Sequence, residues 1–227
     1  VNAAAKNGHS EEISTALLNA SIKYGSKRAK RYYYIVNSKE HQFQGDNRKA
    51  LEWVLKGLSD HTITHPSDSI DLLNHTARLL NELNSPLLAL KNAQKAKELA
   101  IHKNNGIGIA NSILPGLYLK TGMYDSAIAF FSNDLRKHID NENDHGILGG
   151  YNNLGYCFYS ANEYDSAEKY FDLGISLWNQ KFSKDSSNLV MLGLLSGNKG
   201  QVYEHTDRID EALDMYLLDV ELMKITK

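Results

Sequence analysis

Apolar residues along this chain return in a fixed order around five alanines, Ala50, Ala89, Ala127, Ala167 and Ala212, which are 39, 38, 40 and 45 residues apart. Four residues after each alanine stands Val54, Ala93, Phe131, Phe171 or Tyr216, and a step of four keeps side chains on one face of a helix. That face is predicted to be buried. Nine residues before each alanine come His41, Leu80, Tyr118, Phe158 and Tyr203, mostly large and apolar or aromatic, on a preceding helix whose space they would fill. Twelve before come Ser38, Ala77, Pro115, Gly155 and Gly200, small in four cases, where two helix backbones are expected to approach most closely. Pro115 departs from the pattern and predicts a kink, because an interior proline removes a backbone bond. Five residues before each alanine stand Gly45, Asn84, Gly122, Asn162 and Asp207, residue types that tolerate the left-handed conformation. Each predicts a tight turn between two helices. Ser85 followed by Pro86 adds a helix start of the cap-then-proline kind. A period of this length predicts stacked helical pairs.

Leu154, Gly155, Phe158, Ala167, Phe171 and Gly174 together resemble the motif of the tetratricopeptide repeat family, and the resemblance extends over most of residues 25–227, most strongly in the last pairs. It implies an all-α fold, a right-handed superhelical solenoid of about five helix pairs forming one domain over 10–227 behind a flexible lead at 1–9. The repeats are longer than the roughly 34 residues of the common unit, and in this they are similar to the lengthened repeats of bacterial regulators of the family. The resemblance therefore implies a non-catalytic module that binds a protein or an extended peptide, the sensory or interaction part of a bacterial signalling or transcription-regulating protein, soluble in the cytoplasm or periplasm.

In such repeats the first helix of each pair lines a concave surface. Family members that bind extended peptides hold the peptide backbone with an Asn two residues before the small position, and here those places are Asn153 and Asn198. Val36, His75 and Ile113 depart from that pattern. Asn152, Tyr156, Gln201 and Glu204 would share the same wall, and Asn74, Arg78, Ser112 and Lys120 would extend it.

Composition removes other partners. Lys+Arg at 25 against Asp+Glu at 27 gives a formal charge of −2, without the basic excess that non-specific nucleic-acid binding uses. Apolar runs such as "LVMLGLLSG" fall short of the roughly 20 residues of a membrane span. Cys157 is the only cysteine, so no internal disulfide forms, and its place inside a helix reads as a small core residue.

Four stretches could be mistaken for chemistry. "NNGIGIANS" at 104–112 lacks the lysine and third glycine of a phosphate loop and reads as a turn between pairs. His61 and His65 have a zinc-like spacing but lie beside Pro66 with no Cys or Glu close by, which reads as a solvated connector. Lys23, Lys27 and Arg31 fall on one helical stripe before Tyr32, Tyr33 and Tyr34 and read as a solvated face. No catalytic constellation, metal site or cofactor motif emerges. In "IDEALDMYLLDVELMKITK" the stripe Ala212, Tyr216, Val220 and Met223 is expected to face inward while Leu217, Leu218, Leu222 and Ile225 crowd the other sides. An end without a polar cap implies that the array continues in a longer parent protein. The alternative is that this helix is covered by a second copy, as a homodimer or a self-assembling scaffold built through the ends of the stack.

Overall fold

A computed structural model describes residues 9–63, 65–102, 108–183 and 188–225, with side chains at all of these except His9, His102 and 108–112. The "NNGI" part of the 104–112 stretch, the lead at 1–8 and the side chain of Ser112 lie outside the described part, and the rest of that stretch, 108–112, opens a helix and is not a turn. Every regular element among the described residues is an α-helix: α1 (His9–Tyr24), α2 (Lys27–Phe43), α3 (Asn47–Ser59), α4 (Pro66–Glu82), α5 (Pro86–His102), α6 (Gly108–Lys120), α7 (Tyr124–Asp140), α8 (Asp144–Ser160), α9 (Tyr164–Lys181), α10 (Leu189–His205) and α11 (Ile209–Ile225). They group into two compact units, Val1–Thr121 and Gly122–Lys227.

All five predicted turns are present. Gly45, Asn84, Gly122, Asn162 and Asp207 have φ of 80, 55, 73, 61 and 58°. The left-handed residue lets the chain fold back so that the amide of the next residue reaches the carbonyl five residues earlier, which satisfies a helix-end acceptor. Asp46 N donates to His41 O at 2.9 Å, Ser85 N to Leu80 O at 2.8 Å, Glu163 N to Phe158 O at 2.9 Å and Arg208 N to Tyr203 O at 2.9 Å. The acceptor is in each case the residue nine before the repeat alanine, so that position fixes the turn as well as the packing. Helix starts are secured by side chains: Ser26 accepts from Ala29 N at 3.2 Å, Asp46 from Lys49 N at 3.0 Å and Asn143 from Gly146 N at 3.0 Å.

The five alanines are buried, with exposures of 0, 0, 0, 0 and 2%. So are the small positions: Ser38 and Ala77 are fully covered, and a β-carbon at Gly155 would come within 2.5 Å of Phe171. Gly200 repeats this against Tyr216, at 2.7 Å. Pro115 is buried inside α6, which runs through it unbroken. In the C-terminal unit Leu148, Ala167, Phe171, Trp178, Leu192, Leu195 and Val202 form one core. In the N-terminal unit Ala77, Leu80, Ala89, Ala93, Leu114 and Leu117 form another.

A second seam joins each pair to the next. Seven residues after the alanine stand Gly57, Ala96 and Gly174; a β-carbon at Gly57 would touch Leu72 of α4 at 3.1 Å, and one at Gly174 would strike Leu195 of α10 at 2.6 Å. Gly174 is thus the seat for a leucine of the following helix, whereas Gly57 also meets the Tyr34 ring of the preceding α2 at 3.0 Å.

Two expectations need correction. Arg31 is buried, 5% exposed, and its Nη1 lies 2.7 Å from Asp68 and 2.9 Å from Asp71. The stripe assumed for it does not exist, because Gly25 and Ser26 separate Lys23 on α1 from Lys27 and Arg31 on α2. On α11 the inward residues are Ala212 and Leu222, while Val220 and Met223 are 47 and 52% exposed.

Candidate functional site

The six expected site residues of the C-terminal unit lie on two neighbouring helices, Asn152, Asn153 and Tyr156 on α8 and Asn198, Gln201 and Glu204 on α10. Both helices are first members of pairs, held at fixed spacing because Leu195 of α10 sits on Gly174 of the intervening α9. Asn198 Nδ2 donates to Asn152 Oδ1 at 3.0 Å, and this bond ties α8 to α10 across the half-buried middle of the face. It leaves Asn198 with an acceptor and Asn152 with donors that no other described side chain engages. Asn153 and Gln201 are half-buried beside it. Their amides likewise have no side-chain partner among the described residues.

Tyr156 is 42% exposed, and its ring centroid lies 6.3 Å from that of Tyr159. Tyr159 continues to His205 at 5.4 Å, and His205 stacks on Tyr164 at 5.6 Å with the planes 7° apart. These three rings were not among the expected site residues. Their signal was present in the sequence, since Tyr159 and His205 close α8 and α10, the helices that carry the asparagines. Glu204 is exposed and accepts from the Tyr216 hydroxyl at 2.7 Å. Burial, together with this bond, pushes the Tyr216 hydroxyl up to about 12. Burial also raises the Tyr159 hydroxyl, with Tyr164 and Glu204 adding to it.

The flank of α10 that faces α9 is fully committed. Lys199 Nζ pairs with Asp172 at 2.6 Å, and Arg208 lies 3.9 Å over the Tyr203 ring while pairing with Glu168 and Glu211 at 2.9 and 2.8 Å. These contacts fix the orientation of α10 without using the asparagine face.

In the N-terminal unit the expected residues do not share one environment. Arg78 is exposed. Lys120 is exposed and donates to Asn81 at 2.9 Å. Asn74 is not on an open wall: it is 2% exposed, with neither amide atom hydrogen-bonded. The reason is that α4 has α2, α3, α5 and α6 all packed against it, so the position is covered. Next to it, His75 is 8% exposed, with Nε2 2.9 Å from the Ser38 hydroxyl.

His61 and His65 are exposed in the connector between α3 and α4, and among the described residues no group of three His, Cys, Asp or Glu is arranged to hold a metal. The buried Cys157 thiol is pushed up to about 12 by burial, which removes it as a nucleophile near neutrality. No described helix is long and apolar enough to cross a membrane.

The tetratricopeptide repeat profile matches residues 148–177, from the middle of α8 to the end of α9. No curated protein matches the sequence. Among solved structures the chain is similar to BtubC (BKLC) from P. vanneervenii, with 14% identity over 96% of this chain and 89% of that one and a TM-score of 0.71. A kinesin-light-chain-like protein of Podosopora anserina with nearly identical TPR-like repeats gives 12% identity, coverages of 88 and 96% and a TM-score of 0.67. MamA from Desulfovibrio magneticus RS-1, residues 41 to its end, gives 15%, coverages of 86 and 96% and a TM-score of 0.60. The chain thus carries one tetratricopeptide repeat at 148–177, and its all-α fold is similar to that of solved proteins with TPR-like repeats.

Proposed function

We propose that this chain is a non-catalytic interaction module that binds an extended peptide segment of a partner protein on the α8–α10 face. The Asn152–Asn198 pair carries this reading. With one donor and one acceptor spent on each other at 3.0 Å, the pair offers one free carbonyl and one free amide side by side. That is the complement of a peptide unit, whose N–H and C=O must both be satisfied when it leaves water. The Tyr156–Tyr159–His205 rings beside it supply apolar area for a side chain of the ligand. The lengthened repeats favour a place within a bacterial signalling or transcription-regulating protein.

The test uses peptides selected on the intact chain from a displayed library of random extended peptides. Titration calorimetry then compares wild type with the Asn152→Ala, Asn198→Ala double variant and with the Asn153→Ala, Asn198→Ala double variant. Two lost hydrogen bonds at about 0.5–1.5 kcal/mol each give an expected loss of roughly 5- to 150-fold in affinity with helicity unchanged. Equal affinity for wild type and both double variants would refute the site.

A further inference from the structure

Charge is divided unevenly along the chain. The C-terminal unit, residues 122–227, holds 17 Asp and Glu against 9 Lys and Arg, a formal charge of −8, whereas residues 1–121 hold 10 acids against 16 Lys and Arg. The unit that carries the asparagine face therefore draws in cations and turns away acidic ligands.

That field has a local centre on the face itself. Tyr159 of α8 and Glu204 of α10 both stand eight residues before the alanine of their pair, and Tyr156 and Gln201 both stand eleven before, so neighbouring helices bring two tyrosine rings beside one carboxylate. Burial raises the Tyr159 hydroxyl, and Tyr164, Glu204 and Tyr156 raise it further, with no cation acting in the other direction. Glu204 is also held in place. The Tyr216 ring lies where a β-carbon at Gly200 would come within 2.7 Å of it, and from there its hydroxyl donates to Glu204 Oε2 at 2.7 Å. Among the described residues nothing bonds to Oε1.

No described lysine or arginine lies over the Tyr156 or Tyr159 ring or pairs with Glu204. The two cations nearest in sequence are turned to the α9 flank: Lys199 is bound to Asp172, and Arg208 is bound to Glu168 and Glu211. Arg208 shows how this chain fills a tyrosine ring flanked by carboxylates, since its guanidinium lies 3.9 Å over Tyr203 while it pairs with the two glutamates. On the asparagine side the same combination of ring and carboxylate has no cation of its own. Tyr156, 42% exposed, is open to receive one from a ligand.

We infer that the peptide bound on the α8–α10 face is basic, and that one of its arginine or lysine side chains lies across the Tyr156 and Tyr159 rings with its charged head on Glu204. The inference rests on the asparagine face being the binding site and adds what the asparagines leave open. Their amides match a peptide backbone, which every sequence shares, so selectivity falls to the rings and the carboxylate. The aliphatic stem of the ligand side chain covers the rings, the cation meets their faces, and Glu204 Oε1 accepts its hydrogen bond.

The experiment selects peptides on the intact chain from a displayed library of random extended peptides. The selected pool is expected to be enriched in Arg and Lys at one position. In a synthetic member of that pool, replacing this Arg by citrulline, or this Lys by acetyl-lysine, is expected to weaken binding about tenfold by titration calorimetry, because the neutral analogue keeps the stem and loses the charge. Glu204→Gln keeps an acceptor for the Tyr216 hydroxyl, so helicity is unchanged, and combined with Tyr156→Leu it is expected to reduce that difference to less than about threefold. A pool without Arg and Lys enrichment, or a difference that survives Glu204→Gln with Tyr156→Leu, overturns the inference even where the asparagine double variants lose binding and the site stands. Equal affinity of wild type and both asparagine variants for the selected peptides, or a library from which nothing is selected, overturns the site and the inference together.

Discussion

His75 makes the stability of the N-terminal unit depend on pH in a window where few other groups act. Ser38 donates its only hydroxyl proton to the Ala50 carbonyl at 2.7 Å, so its oxygen can only accept from His75 Nε2 at 2.9 Å. The imidazole is therefore held neutral with its proton on Nε2. Burial first, then the positive charges of Lys39 and Arg78, lower its pKa from 6.5 to about 4. Between these two values the unfolded chain binds a proton that the folded one refuses, so stability is complete above about pH 7 and falls as pH drops through 6.5 toward 4. At 1.36 kcal/mol for each pKa unit, the loss is roughly 2 kcal/mol at pH 5 and about 3 kcal/mol near pH 4. Asp60, which its bonds to Lys30, Thr62 and Tyr34 hold below the ordinary carboxylate range against the opposing effect of burial, adds to acid lability only below that window. The assay is urea denaturation between pH 7.5 and 4.5, read by Trp53 fluorescence in a Trp178→Phe background so that the signal comes from the N-terminal unit. His75→Gln, which keeps a donor toward Ser38 but cannot be protonated, is expected to flatten the curve between pH 6.5 and 5. If His75→Gln and its parent lose stability in parallel over that range, the neutral buried imidazole is refuted.

Two further outcomes follow from the packing. Gly155→Ala drives a methyl group into the fully buried Phe171 ring, 2.5 Å from its nearest carbon, and thermal unfolding of the C-terminal unit is expected to show a loss of about 1–3 kcal/mol. Arg31→Met leaves Asp68, 5% exposed, without its cation and is expected to cost about 3–5 kcal/mol in chemical denaturation, whereas Arg31→Met combined with Asp68→Leu recovers most of that loss.

The turns were legible from sequence because only a few residue types accept a positive φ, so Gly45, Asn84, Gly122, Asn162 and Asp207 report backbone conformation directly. The small position was legible for a similar reason: contact between two backbones excludes side chains, and Gly155 and Gly200 leave room for Phe171 and Tyr216. Patterns that rest on helical phase alone were less secure. The α11 stripe was set one position out of register because leucine, valine and methionine surround that helix on all sides, and hydrophobicity without a polar face does not fix a rotation. Arg31 was misread because its carboxylate partners lie on α4, and nothing within "KYGSKRAKRYYY" indicates them.

Asn74 and Asn152 show why residue type and repeat position together still do not define a site. Both stand fifteen residues before the alanine of their pair. Asn152 meets Asn198 on α10, one step further along that helix in the repeat, and the two amides satisfy one another at 3.0 Å. The residue equivalent to Asn198 on α6 is Ile113, which packs into the apolar cluster of Leu114 and Leu117. Asn74 is thus closed in by four helices with no amide opposite it, and an unsatisfied buried group of this kind costs roughly 1–3 kcal/mol. An asparagine can hold a ligand here only where the next first helix supplies a polar neighbour and leaves the face uncovered. In the C-terminal unit α8 and α10 meet both conditions, with Asn152 and Asn198 half-buried and Tyr156 exposed beside them. It is the pairing of asparagines between successive repeats, more than the presence of either one, that distinguishes the binding face from a core position.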